Sequence, residues 1–316
     1  MYYWASDEEA GTRSVFSAHD AERSPFNSAY TQGDLRGRPE IDAQDASPRL
    51  QERALAPIGV FDSGAGGLTI LSALRQELPQ EHYIYFGDTA YCPYGVRSKA
   101  EITELTTRAC RFLIEQGVKL IVIACNTASQ AALNTLRATF SLPFVGVVPA
   151  VKPAARFTKR GRVGIAATNQ AARAAYLRQL IDNYASGVQV YAVGCPELVT
   201  LVERGELSGA LVEETLSHAL HPLLIHDIDV LVLGCTHFPA LRPAIEHVVG
   251  KQVLVIDSGA AIARRTRSIL DTEALVHPKR SEEGALQVWC SGDAASFSDV
   301  ASKVLGYPIL ANQVTL

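Results

Sequence analysis

The chain has 316 residues, 47% of them apolar and 20% charged, with a net charge of −4. That length allows two ordinary domains with a sizeable core, and the balance is that of a globular protein. The mild acidity argues against a basic surface for nucleic acid or anionic lipid, and no apolar run approaches the ~18 residues that span a bilayer.

Met1 to Ala10 lacks the basic start and apolar centre of a secretory signal and carries Asp7, Glu8 and Glu9, so a cytoplasmic protein is expected. Six cysteines, at 92, 110, 125, 195, 235 and 290, include no CxxC pair. In a reducing cytosol these read as free thiols, and neither a zinc site nor a redox pair is expected. Residues 1–57 are rich in Asp, Glu, Ser, Arg and Gln without a sustained period. They read as a disordered or poorly ordered extension, with one helical turn around Pro48–Arg53.

From Ile58 the pattern alternates. Apolar strands are predicted at Ile58–Phe61, Tyr83–Phe86, Leu120–Ala124 and Phe144–Val147, with helices at Leu68–Leu78, Ser98–Gln116 and from Ala128. The pattern then restarts, with strands at Gly161–Ala166, Val188–Val193, Val230–Leu233 and Val253–Ile256. Helices fall at Ala171–Asn183, Pro196–Arg204, Gly209–Ile225 and Ala240–Val249. A helix near Ala260–Leu270 and two short strands, Leu286–Cys290 and Ile309–Leu310, close the chain. This alternation predicts an α/β fold of two similar domains, each a parallel sheet flanked by helices. One domain is expected over 58–148 plus 258–316 and the other over 149–257, with the active site in the cleft between them.

The two halves show a faint duplication. GVFDSG…ALRQEL resembles VGIAATN…YLRQLI, and LIVIACNTA resembles VLVLGCTHF. Ser63 precedes Cys125 by 62 residues and Thr168 precedes Cys235 by 67. Each cysteine follows a buried strand and precedes a helix, at the sheet edge where open α/β folds bind ligands. A helix N-terminus also favours a thiolate. Either cysteine alone reads most simply as a buried structural residue, but equivalent placement in two repeated units points to chemistry. Inverting an α-carbon needs a base on one face and an acid on the other. A thiol with a pKa of about 8.5 serves in both roles.

The turn Asp62–Ser63–Gly64–Ala65–Gly66–Gly67 lets backbone amides approach a ligand carboxylate at a helix start. A dinucleotide reading fails, because Thr69 stands at the last glycine position and Asp62 would meet the phosphates.

DSGAGG (62–67), DTAYCPYG (88–95), ACNTAS (124–129), GVVPA (146–150), GCTHFP (234–239) and IDSG (256–259) together resemble the ordered motif set of glutamate racemases over about Ile58 to Asp271. The resemblance implies cofactor-independent interconversion of L- and D-glutamate, supplying D-glutamate for peptidoglycan. It implies Cys125 and Cys235 as the proton-transfer pair, Asp62 assisting the first, and Glu203 and His237 assisting the second. Substrate contacts carry over to Ser63, Pro93, Tyr94, Gly95, Asn126, Thr127 and Thr236. Bottom-up, Glu203 reads only as a solvated helix residue. Tyr94 could merely pack, and Asn126, Thr127 and Thr236 could merely cap helices.

One departure stands out: Gln170 and Ala171 occupy positions where such enzymes often carry Gly-Thr. The N-terminal extension, AVKPAAR (150–156) and DSGAAIARR (257–265) resemble the subgroup activated by UDP-N-acetylmuramoyl-alanine, although AVKPAAR also reads as a plain linker. The resemblance implies a monomer or homodimer. An aspartate racemase or a binding protein on the same scaffold stays open, though a binder has no need of both thiols together with Asp62, Glu203 and His237.

Overall fold

The computed structural model describes residues 3–4, 51–278 and 283–316. Two sheets organise the chain, and every strand pairing in both is parallel. In chain order the strands are β1 (Tyr3–Trp4), β2 (Ile58–Asp62), β3 (Tyr83–Gly87), β4 (Leu120–Ile123), β5 (Phe144–Gly146), β6 (Arg162–Ala167), β7 (Gln189–Gly194), β8 (Val230–Leu233), β9 (Leu254–Ile256), β10 (Leu286–Cys290) and β11 (Ala311–Gln313). The larger sheet runs β11-β10-β3-β2-β4-β5 and the smaller β1-β7-β6-β8-β9. Helices cover both faces of each sheet, so central strands such as LIVI and VLVL are buried at every residue. That is why they read as unbroken apolar runs rather than alternating ones.

Four strands of each sheet share one order, β3-β2-β4-β5 against β7-β6-β8-β9. Register makes the equivalence specific: Ile58 pairs with Leu120 in one sheet and Val163 with Val230 in the other. Ser63 and Thr168 each lie five residues beyond the first of these partners. Cys125 and Cys235 each lie five beyond the second. The duplication therefore holds at the level of topology, and it puts the two thiols at matching strand ends.

Several boundaries differ from the sequence reading. The helix expected over Ala171–Asn183 is two, Asn169–Arg173 and Ala175–Tyr184, separated by an extended Ala174. The last strand is Ala311–Gln313 rather than Ile309–Leu310. Val151–Phe157 is helical, its Pro153 tolerated because a first-turn N–H has no helical partner to lose. The helix Ala294–Leu305 was not anticipated. Asp293 caps it by accepting from the Ser296 N–H, and Phe297, Val300 and Ala301 bury its inner face.

The expected extension over 1–57 falls mostly on residues 5–50, outside the described residues. Tyr3–Trp4 pairs with β7 as the edge of the smaller sheet. Residues 51–55 are helical and belong to the ordered fold. Ala54 is buried, and its carbonyl accepts from the Lys119 ammonium, itself paired inside the protein with Glu81. A buried ammonium needs such partners, which ties this segment down.

Candidate active site

The carboxyl ends of β2 and β4 lie at the point where the chain order reverses direction across the larger sheet, and β6 and β8 repeat this in the smaller. Such switch points open a crevice. Here the two crevices share one small cavity, lined by Ser63, Pro93, Tyr94, Gly95, Cys125, Asn126, Thr127, Thr168, Val199, Cys235, Thr236 and His237. The free space inside it is only about 20 Å³, far below the ~300–1,000 Å³ of small-molecule sites, so the cleft as it stands is too tight for an amino acid. Ten of the twelve residues picked out from the sequence reach it. Asp62 and Glu203 stand directly behind it.

Cys125 is 5% exposed and caps the helix Asn126–Thr139, its sulfur accepting from the Ala128 N–H at 3.4 Å. Ser63 Oγ lies 3.7 Å away. Burial, with the neighbouring Asp62 adding to it, pushes this thiol up to about 12, although the Ala128 and Ser63 hydrogen bonds oppose the rise. Asp62 is fully buried at the end of β2. Its carboxylate accepts from the Gly64 N–H at 2.8 Å and from the Thr236 hydroxyl at 3.1 Å. Its hydrogen bonds thus run to the glycine turn and to the Cys235 segment, while it acts on Cys125 through its field. Burial outweighs the opposing influence of His237 and raises Asp62 to about 6.

Cys235, 6% exposed, has different support. Its sulfur lies 3.6 Å from His237 Nδ1, and His237 Nε2 lies 2.6 Å from Glu203 Oε1. The same carboxylate oxygen accepts from the Ala65 N–H at 2.7 Å. Burial works against a charged imidazole, but hydrogen bonds to Cys235, Cys92 and Glu203 overcome it and lift His237 well above its ordinary value. Glu203, conversely, is held low by His237 despite its burial. Both partners move in the sense of an imidazolium–carboxylate pair. The duplicated scaffold is therefore asymmetric: a carboxylate stands beside one sulfur and an imidazolium beside the other.

Tyr94 is buried and donates to Asp88 Oδ2 at 2.6 Å, and Ser291 donates to the other oxygen of Asp88 at 2.6 Å. Ser63, Asn126, Thr127 and Thr236 are buried in the wall, and the Asn126 side-chain oxygen has no hydrogen-bond partner among the described residues. Pro93 is exposed at the rim and Gly95 half-buried beside it. A Cβ on Gly95 would stand 3.0 Å from Thr168 Cβ, so the two crevices touch here. Thr168 caps the short helix Asn169–Arg173 by accepting from the Ala171 N–H, and it shares a 3.2 Å hydrogen bond with Thr127 across the cleft. The Gln170 side-chain oxygen, at the departure from the usual Gly-Thr, is buried without a partner among the described residues.

Three contributors were not singled out from the sequence. Cys92 lies against His237 and Glu203. Tyr85 donates to the Gly64 carbonyl at 2.7 Å and holds the glycine turn from below. Thr69 donates to the Thr236 carbonyl at 2.8 Å and joins the two halves. Only Cys92 carried a signal, as one more thiol inside a motif already quoted.

A family model described as Asp/Glu/Hydantoin racemase matches residues 68–266, well over half of the chain. It belongs to the aspartate/glutamate racemase family. Within that family, a glutamate racemase of Herpetosiphon aurantiacus is 46% identical over 244 residues, covering 77% of this chain and 96% of that one. Among solved structures, a glutamate racemase isoform from Bacillus anthracis superposes with a TM-score of 0.74 at 34% identity, covering 83% of this chain and 98% of that one. The Escherichia coli glutamate racemase, solved with L-glutamate and the activator UDP-MurNAc-ala, gives a TM-score of 0.73 at 36% identity over 83% of this chain and 98% of that one. The family member described here is thus an enzyme of the glutamate racemase type. Among its described residues, no helix is long and apolar enough to cross a membrane.

Proposed function

We propose that this enzyme interconverts L- and D-glutamate by proton transfer at Cα between Cys125 and Cys235, without a cofactor. The observation that carries the reading is the placement of both thiols on one small cavity at equivalent strand ends. One sulfur, as thiolate, removes the α-proton. The other, as thiol, delivers its proton to the opposite face of the carbanion, and the roles exchange for the other enantiomer. The Cys235 sulfur lies 3.6 Å from His237 Nδ1, within reach of a proton exchanged with the ring. Burial favours the thiol at Cys125, which suits it to donate when the enantiomer bound presents its α-proton to Cys235. The ammonium and carboxylate of the amino acid would meet the polar wall formed by Ser63, Asn126, Thr127 and Thr236, of which Asn126 and Thr127 open the helix Asn126–Thr139.

In this reading the chain works in the cytoplasm as a source of D-glutamate for peptidoglycan, as a monomer or homodimer. Its catalytic lobes are 58–148 with 258–316, and 149–257. The segments 150–156 and 257–265 flank both crossings between lobes, where Ser258 Oγ donates to the Val148 carbonyl. UDP-N-acetylmuramoyl-alanine bound there would bias closure.

The test is racemisation of L-glutamate in deuterated water, with aspartate as the competing substrate and the nucleotide added in parallel. Deuterium at Cα of the D product is expected, with aspartate turned over far more slowly. Cys125→Ser and Cys235→Ser should each lose at least ~10³-fold in kcat. Full retention of protium, or turnover surviving in both variants, overturns the two-thiol mechanism. Unchanged turnover with the nucleotide removes the activator alone.

A further inference from the structure

Behind the cavity, three groups of different chemistry converge: the Cys92 sulfur, a Glu203 carboxylate oxygen and an imidazole nitrogen of His237 all lie within 4.8 Å of one another. They come from three separate segments. The turn Gly64–Gly66 wraps them so tightly that a Cβ on Gly64 would stand 2.0 Å from Glu203 Oε1 and 3.0 Å from Cys92 Sγ. His237 is buried, and Cys92 and Glu203 are half-buried. The cluster is therefore shielded but not sealed.

We propose that Cys92, Glu203 and His237 form a binding site for a thiophilic divalent cation such as Zn2+, and that its occupation shuts the enzyme off. Thiolate, imidazole and carboxylate together match the ligand preferences of zinc, with three protein ligands and a fourth position left for water. Tetrahedral bonds of about 2.0–2.3 Å place neighbouring ligand atoms roughly 3.5 Å apart. The 2.6 Å contact between His237 Nε2 and Glu203 Oε1 would open by ~1 Å, and the widest pair close by about as much. Side-chain rotations supply such shifts. Binding releases two protons to solvent, one from the Cys92 thiol and one from the imidazolium nitrogen that faces Glu203, and takes the thiolate, the neutral imidazole and the carboxylate into the metal's coordination. The shift that brings the imidazole onto the metal turns the ring that faces the Cys235 sulfur at 3.6 Å, so the geometry needed for proton transfer is lost. The expectation of no metal, drawn from sequence spacing, had no view of this site, because its ligands lie far apart in the chain.

Titration of Co2+ and Zn2+ into chelator-treated full-length protein tests the site, alongside Cys92→Ser and Cys92→Ala checked for folding by circular dichroism. Wild type is expected to take up one Co2+ with a near-ultraviolet thiolate-to-metal absorption band. Zn2+ should inhibit racemisation reversibly, with activity restored by chelator. Both variants should lose the band and need at least ten times more Zn2+ to lose the same fraction of their own uninhibited rate. Absence of the band in wild type overturns the proposal. So does a band or a zinc sensitivity that persists undiminished in the variants, which would put the metal on Cys125 and Cys235 instead. The absorption readout needs no turnover, so it stands apart from the fate of the proposed reaction.

Discussion

Asp62 is fully buried, with two hydrogen bonds to its carboxylate. Burial raises it from 3.8 to about 6. A folded-state value above the unfolded one means that the fold favours the neutral acid. Its relative contribution is fully present below pH 4 and is lost as pH rises through 6. About two units correspond to roughly 3 kcal/mol of penalty at neutral pH. Asp62→Asn removes the charge and keeps an acceptor for the Gly64 N–H. It should therefore raise Tm at pH 8 by several degrees and leave it nearly unchanged at pH 4. Turnover should fall about 10²-fold, because the carboxylate that sets the field at Cys125 and ties down Thr236 is gone. Thermal unfolding at the two pH values checks the first part and steady-state kinetics the second. An equal Tm for both proteins at pH 8 would mean that burial of the charge costs nothing. Stability and activity here pull in opposite directions at a single atom pair, as functional sites often require.

The glycine turn after β2 shows what an element contributes beyond its residues. None of Gly64, Gly66 and Gly67 adopts a positive φ, so their need is clearance rather than backbone freedom. A Cβ on Gly66 would lie 2.3 Å from His237 Nδ1, and one on Gly67 would lie 2.5 Å from Asp62 Cβ. Gly66→Ala should force the imidazole aside by about 1 Å and lower kcat/KM roughly 10²-fold, with circular dichroism unchanged. A full-rate Gly66→Ala enzyme would remove His237 from the mechanism. From the sequence the turn was legible as small residues at a helix start. That it admits side chains of the opposite half was not, since Ala65 and Glu203, joined by a hydrogen bond, are 138 residues apart. The same division runs through the fold. Buried parallel strands are short apolar runs with polar ends, so β2, β4 and β8 and their cysteines could be read directly. The helix Ala294–Leu305 carried a capping Asp293 and apolar positions 297, 300, 301 and 304, yet short strand readings on either side obscured it. Glu203 looked solvated because its partners, His237 and the Ala65 N–H, are 34 and 138 residues away in the chain. No periodicity encodes that encounter.

At the scale of the molecule, the cavity around both sulfurs holds only about 20 Å³ of free space, so glutamate can be seated there only if the two sheets part. The seam is polar: Thr69 donates to the Thr236 carbonyl, Thr236 to Asp62, the Ala65 N–H to Glu203, and Thr127 meets Thr168. A hydrogen bond made only in the closed form biases closure by its net worth, about 1 kcal/mol or a factor near five. Thr69 serves as the cleanest probe, because it lies outside the cavity lining and valine keeps its shape. In Thr69→Val the closed population of free enzyme falls, and the substrate must supply the difference. KM for glutamate should therefore rise up to about fivefold, while kcat at saturation stays within about twofold, since bound substrate restores closure. Loss of the bond should also lower unfolding stability by about 1 kcal/mol in urea. If kcat drops sharply with KM unchanged, the Thr69 contact is acting on the chemistry at Cys235 through the Thr236 backbone. Closure would then be already complete in the free enzyme, and the seam would serve to align the thiols rather than to admit the substrate.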